Sequence, residues 1–110
     1  MSIEEKRKGR ILVLYLSGQL DNAAAQEFAS TIARYLETSE RYILINFAHL
    51  DYLSSSGLRI LLGTAQQVDA RRGKFVLCSL APTLMQAIEL VGFHKILNIY
   101  PTEHEALKHF

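Results

Sequence analysis

With 110 residues, 49% of them hydrophobic and 21% charged, the chain suits one globular domain with an apolar core of its own. A formal net charge of +1 excludes a global field that would draw it to nucleic acid or an anionic membrane. The single cysteine, Cys78, excludes an intrachain disulfide framework and a cysteine-built zinc site, and fits a reducing compartment.

The N-terminus shows no secretory signal. Ile3 to Arg10 is polar and charged, and the apolar run Ile11 to Leu16 is too short for a signal-peptide core or a membrane span. A cytoplasmic chain, residues 1–110 forming one domain, is the expectation. Ser2 to Arg7 reads as a polar edge strand, Lys8-Gly9 as a turn, and Arg10 to Ser17 as a second strand completing a hairpin. Lys6, Arg7, Lys8 and Arg10 are interleaved with Glu4 and Glu5, which reads as a solvated hairpin face and not a nucleic-acid patch. In the second strand Ile11, Val13 and Tyr15 alternate with Leu12, Leu14 and Leu16, so both faces are apolar and both should be covered.

Gly18-Gln19-Leu20-Asp21-Asn22 closes that strand, and Asp21 or Asn22 is placed to cap a helix over Ala23 to Glu37. Ala25, Phe28, Ala29, Ile32 and Leu36 recur on one face of that helix. Arg41 to Phe47 holds the continuous run Tyr42-Ile43-Leu44-Ile45 of a buried parallel strand. Ala48 to Leu53 reads as a connector anchored by Leu50, Tyr52 and Leu53. Leu58 to Arg71 is a second amphipathic helix, with Leu58, Leu61, Leu62, Ala65 and Val68 inward and Arg71-Arg72 before Gly73 at its C-terminus. Lys74 to Ser79 is a third core strand, in which Cys78 is a small core residue. Pro82 opens a helix whose Leu84, Ala87, Ile88 and Val91 face inward and which Gly92 ends. Lys95 to Tyr100 is the last strand, and Thr102 caps a terminal helix with Glu105 in the capping-box position and Ala106, Leu107 and Phe110 on its apolar side. After the hairpin, strands alternate with helices. The fold class is therefore α/β, a mixed, mostly parallel sheet with an N-terminal β-hairpin and about four helices.

Catalytic constellations are thin. Of the four histidines, His104 and His109 are five apart on the terminal helix, which turns them to different sides and argues against a shared metal site. His49 precedes the serines and would have to approach Ser54 or Ser55 for nucleophilic catalysis, but no G-x-S-x-G elbow is present. Neither G-x-x-x-x-G-K-[ST] nor G-x-G-x-x-G occurs. No catalytic residue, metal ligand or cofactor is assigned.

The stretch Leu53-Ser54-Ser55-Ser56-Gly57-Leu58-Arg59 lies between a strand and a helix. Serines at a helix start cap it well. The same place offers unpaired N–H groups and a partial positive charge, so a serine there can carry a phosphate. Spacing alone leaves both readings open.

Four segments together resemble the STAS domains, and among them the stand-alone bacterial anti-sigma factor antagonists. They are Ser17-Gly18-Gln19-Leu20-Asp21, similar to the family's G-E-L-D turn; Tyr42 to Phe47, its central strand; Leu53 to Leu58, its phosphorylation segment; and Leu90 to Leu97, its later helix-to-strand turn. The family pattern D-S-[ST]-G-[ILV] maps its phosphoacceptor onto Ser55, with Ser56 and Gly57 following and Ser54 where many antagonists carry aspartate. The resemblance implies a non-enzymatic partner-switching protein. Unphosphorylated, it would bind an anti-sigma factor that is itself a serine kinase; phosphate on Ser55, with Ser56 or Ser54 as lesser acceptors, would end binding; a PP2C-type phosphatase would reset it. Asp21, Asn22, Asp51, Ser54, Ser56, Gly57 and Arg59 are the implied partner-binding residues, and a monomer that binds neither nucleic acid nor membrane is expected. The competing readings are a phosphorylation-independent STAS-fold module, such as a transport accessory subunit, and an enzyme pairing a serine with His49.

Overall fold

The computed structural model describes residues 1–110. The elements in chain order are β1 (Ser2–Lys8), β2 (Ile11–Leu20), α1 (Asn22–Glu37), β3 (Tyr42–Leu53), α2 (Ser55–Ala70), β4 (Lys74–Cys78), α3 (Pro82–Leu90), a 3-10 turn (Phe93–Lys95), β5 (Asn98–Tyr100) and α4 (Glu103–Leu107). One five-stranded sheet has the spatial order β1-β2-β3-β4-β5. The hairpin pair β1–β2 is antiparallel, with Lys8 opposite Ile11 across Gly9-Arg10. Gly9 has φ +61, the left-handed backbone that a two-residue hairpin loop needs and that glycine adopts freely. Every other pair is parallel, as helices between successive strands require.

Alternation along the strands divides the core. Leu12, Leu14, Leu16, Ile43, Ile45, Phe47, Phe75 and Leu77 point to one face and pack with Phe28 and Ile32 of α1, Leu58 and Leu61 of α2, and Leu84 and Ile88 of α3. Val13, Leu44, Val76 and Cys78 point to the other face, where Ala106 of α4 closes over them with Leu107 and Phe110 alongside. Both faces are covered, as the two-sided apolar pattern of β2 demands, but one carries three helices and the other only a five-residue helix. No helix is long and apolar enough to cross a membrane.

The structure corrects several boundaries. The segment expected as a connector, Ala48 to Leu53, is the second half of β3, paired with Ser17 to Leu20, so β2 also runs beyond Ser17. Two register shifts explain why it does not read as a strand. The pairing steps from Tyr15/Asn46 to Ser17/His49 and from Gly18/Leu50 to Gln19/Tyr52, each time with one extra residue on β3. Such bulges break the period-two pattern and let Leu50 and Leu53 both turn inward although they are three apart. Tyr52, expected as an anchor, is thereby turned out and is 50% exposed. Ala87 in α3 and Val91, the residue that caps its end, are exposed rather than inward. That helix lies towards the edge where β5 is only three residues long, so a single Leu84/Ile88 stripe finds the core. Lys95 belongs to the 3-10 turn, and β5 starts at Asn98. At the end of α2 the left-handed residue is Arg72 (φ 60), not Gly73. Gly73 is needed for a different reason: a Cβ there would lie 2.2 Å from the Arg41 carbonyl oxygen.

Candidate functional site

β2 and β3 end side by side, with Leu20 opposite Leu53. Each chain then passes through one polar residue into a helix. Asp21 is the N-cap of α1, its Oδ1 accepting from the Ala24 N–H at 2.8 Å. Ser54 is the N-cap of α2, its Oγ accepting from the Gly57 N–H at 3.1 Å. Two helix N-termini therefore stand together at the carboxyl ends of parallel strands, where open α/β sheets bind their ligands. Asn22, the other candidate cap, is the exposed first residue of α1.

The serine stretch divides its work. Ser54 is only 5% exposed, and its N–H donates to the Leu20 carbonyl at 2.8 Å, so it is held by backbone on one side and holds the helix start on the other. Serine and aspartate cap about equally well, so Ser54 keeps the geometry that an aspartate would give while leaving out the charge. The first turn of α2 has no acidic residue at all. Ser55 is the first residue of α2 and is exposed, and its hydroxyl makes no hydrogen bond within the protein. The N–H groups of Ser55 and Ser56 also have no acceptor in the protein, as the first turn of a helix dictates. Gly57 sets how closely this turn approaches the sheet. A Cβ on it would lie 2.7 Å from Leu20 Cγ and 3.1 Å from Leu53 Cδ1, both in buried side chains.

Ser56 is half-buried and lines a depression of about 350 Å³ with Asn22, Gln26, Arg59 and Ile60. Arg59 is exposed, one helical turn beyond Ser55. Asp51 is exposed at the second bulge of β3. The predicted residues Asp21, Asn22, Ser54, Ser55, Ser56, Gly57 and Arg59 thus converge on the paired helix starts. Gln26 and Ile60 join them and carry no signal in the sequence, because the α1–α2 seam that collects them is a tertiary feature. His49 is not brought in. It pairs in register with Ser17, and the extended strand puts it roughly 15 Å from Ser54, far beyond hydrogen-bond reach.

A second polar cluster lies on the opposite sheet face and joins residues too far apart in sequence for any local spacing to signal it. Glu103, at the start of α4, accepts from Lys8 Nζ at 2.6 Å and from Asn46 Nδ2 at 3.2 Å, with Tyr15 beside it. Burial pushes the Glu103 carboxyl up, but hydrogen bonds from Lys8, Tyr15 and Asn46 outweigh it and hold the group below its usual range. Burial, and then the Glu103 carboxylate, push the Tyr15 hydroxyl up to about 12. No group of three His, Cys, Asp or Glu side chains is placed to hold a metal ion, and the His109 ring stacks on Tyr100 at 4.2 Å.

Comparison with known proteins gives a consistent result. The STAS domain model matches residues 2–106. BtrV of Bordetella bronchiseptica is 34% identical over 91 residues, which is 83% of this chain and 76% of BtrV. An anti-sigma F factor antagonist of Paenibacillus polymyxa is 25% identical over 108 residues, 97% of this chain and 92% of its own. Among solved structures, the anti-sigma factor antagonist SpoIIAA in its unphosphorylated form superposes with a TM-score of 0.76 at 24% identity, covering 98% of this chain and 96% of its own. The phosphorylated form of the Bacillus SpoIIAA gives 0.75 at 24% identity, covering 98% of both chains.

Proposed function

The chain belongs to the STAS domain family, and from that premise we propose that it is an anti-sigma factor antagonist whose binding is switched at Ser55. In the unphosphorylated state it binds an anti-sigma factor that is also a serine kinase. The kinase transfers a phosphoryl group: the Ser55 hydroxyl oxygen bonds to the γ-phosphorus of ATP, the bond to ADP breaks, and the hydroxyl proton is lost. A PP2C-type phosphatase returns serine and inorganic phosphate at the expense of water. The chain is a substrate and binding module acting in the cytoplasm, with no active site of its own.

The observation that carries this reading is the division between Ser54 and Ser55. The cap is supplied by the buried Ser54, so the neighbouring Ser55 hydroxyl has no structural duty and is open to a kinase. A phosphate there adds close to two negative charges beside free N–H groups and the positive end of a helix that holds no competing carboxylate in its first turn. The fold accommodates that charge, while a partner packed against the same surface has to desolvate it. The near-equal likeness of this fold to the two forms of SpoIIAA supports a local switch without refolding.

The test is phosphorylation with a serine kinase of the anti-sigma type and ATP, followed by site localisation by mass spectrometry. Phosphate on Ser55, abolished in a Ser55→Ala chain that still binds the kinase, is the expected result. Phosphate on another residue, or none, moves the chain to a STAS module with a different mode of control.

A further inference from the structure

The head of the seam between α1 and α2 carries a single charge. There, the 350 Å³ depression is walled by Asn22, Gln26, Ser56, Arg59 and Ile60. Ala29 and Ile60 continue it into a second trough of about 210 Å³, whose walls reach Leu36 and Gln67 and include no ionisable side chain. On a chain with 21% charged residues, Arg59 is the one charged residue lining either depression, and the next cation, Arg71, is bonded to the Leu36 carbonyl at the far end. Its guanidinium is also uncommitted: none of the four ion pairs and no side-chain hydrogen bond involves it. Ser55 does not line the depression but precedes Arg59 by four residues on the same helix, the spacing at which side chains on a helix meet. A long, unpaired arginine at that position reaches either over the seam or back to Ser55. Phosphate and guanidinium match as a charged, two-point hydrogen-bonding pair, so a phosphate on Ser55 decides between the two.

We propose that Arg59 reads the phosphate: a phosphoryl group on Ser55 draws the Arg59 guanidinium out of the head of the α1–α2 seam and onto itself, so that modification strips the head of the seam of its one cation as well as adding charge at the helix start. The inference rests on Ser55 being the phosphoacceptor. Arg59 is then a positioning residue of the switch, and the surface offered to a partner changes across the whole head of the seam and not at one serine.

Phosphoserine inserted at position 55 during translation, by suppression of an amber codon, gives the modified chain without any kinase. It is made in the wild-type, Arg59→Gln and Arg59→Lys backgrounds, both substitutions being at an exposed site. The second ionisation of the phosphate, near pH 6, is followed by its phosphorus NMR resonance. The free N–H groups at the helix start act equally in all three chains, so the difference between them isolates residue 59. The wild-type midpoint is expected below that of Arg59→Gln by about 0.3 pH unit, with Arg59→Lys between them, and the Arg59 Nε–H resonance is expected to titrate with the same midpoint as the phosphorus. Equal midpoints in the wild type and Arg59→Gln, or an Arg59 Nε–H resonance that ignores the phosphate, overturns the proposal. Because no kinase is used, a failure of kinases to modify Ser55 counts against the antagonist reading alone and leaves this measurement intact.

Discussion

Two glycines of the same helix should respond to alanine with opposite signs. Replacing a glycine inside a helix by alanine ordinarily stabilises it by about 1 kcal/mol, since the backbone loses less freedom on folding. At Gly63 nothing lies within 4 Å of the added methyl, so that gain is realised in full. At Gly57 the methyl would sit 2.7 Å and 2.9 Å from Leu20 Cγ and Cδ2 and 3.1 Å from Leu53 Cδ1. Leu20 is fully buried and Leu53 nearly so, and the closest atom is the branch carbon Leu20 Cγ rather than the free end of a side chain. Overpacking of this kind costs about 1–3 kcal/mol, which exceeds the propensity gain and leaves Gly57→Ala destabilised by about 1 kcal/mol net. The two variants should therefore differ by about 2 kcal/mol in urea unfolding, and Gly57→Ala should melt about 4 °C below the wild type. The same clash lifts the first turn off the sheet, so Ser55 in Gly57→Ala should be a poorer kinase substrate while Gly63→Ala is unaffected. If Gly57→Ala proves as stable as Gly63→Ala, the close seating of α2 on the strand ends is wrong, and with it the reason for a glycine after the serines.

The serines themselves separate in the same assay. Ser54→Ala removes a buried cap and should lose about 1 kcal/mol, whereas Ser54→Asp keeps the cap and should stay near the wild type. Ser55→Ala should change stability by less than about 0.5 kcal/mol, and Ser55→Asp should keep the fold by circular dichroism and melting, since a carboxylate suits a helix start; loss of fold in Ser55→Asp contradicts a local switch. On the other sheet face, Glu103→Gln weakens the tie between α4, β1 and β3, and should speed labelling of the buried Cys78 thiol by a disulfide reagent; an unchanged rate removes Glu103 as the anchor of α4. The depressed Glu103 carboxyl supports the fold above its ordinary ionisation range, and that support is lost as pH falls through the folded value, so Glu103→Gln should flatten the acid side of the stability profile. Tyr15 behaves in the opposite sense. Its contribution is whole below pH 10 and fades as pH rises towards about 12, so phenolate absorbance should show a tyrosine titrating near 12 that Tyr15→Phe removes, while Tyr35, raised by burial and Glu5, stays shifted up in that variant.

Much of this fold is written in local patterns. The hairpin follows from Gly9 between two strand-like runs, and α1 from Phe28, Ile32 and Leu36 at helical spacing. The two-sided apolar strands foretell helices on both faces of the sheet, and the structure supplies them. What escapes local patterns has physical causes. The latter half of β3 is hidden because its two bulges erase the alternation that identifies a strand. The inward face of α3 is overdrawn because Ala87 and Val91 have the right spacing but too little sheet beneath them. At the site, the sequence places three hydroxyls at a helix start, yet only the backbone decides that Ser54 is the cap and Ser55 is free. The Glu103 cluster joins residues 57 and 95 positions apart, and no short-range spacing announces such a contact.

Phosphate on Ser55 is expected to end partner binding while the fold persists. The direct measurement is titration calorimetry of the anti-sigma factor kinase against the unmodified chain and against the same chain carrying phosphoserine at 55, with circular dichroism of both. Superimposable spectra are expected, with an affinity for the phosphorylated chain at least about 30-fold weaker, the scale set by a charge desolvated without a partner in an interface. Equal affinities for the two chains, or a phosphorylated chain that has lost its structure, would contradict that expectation.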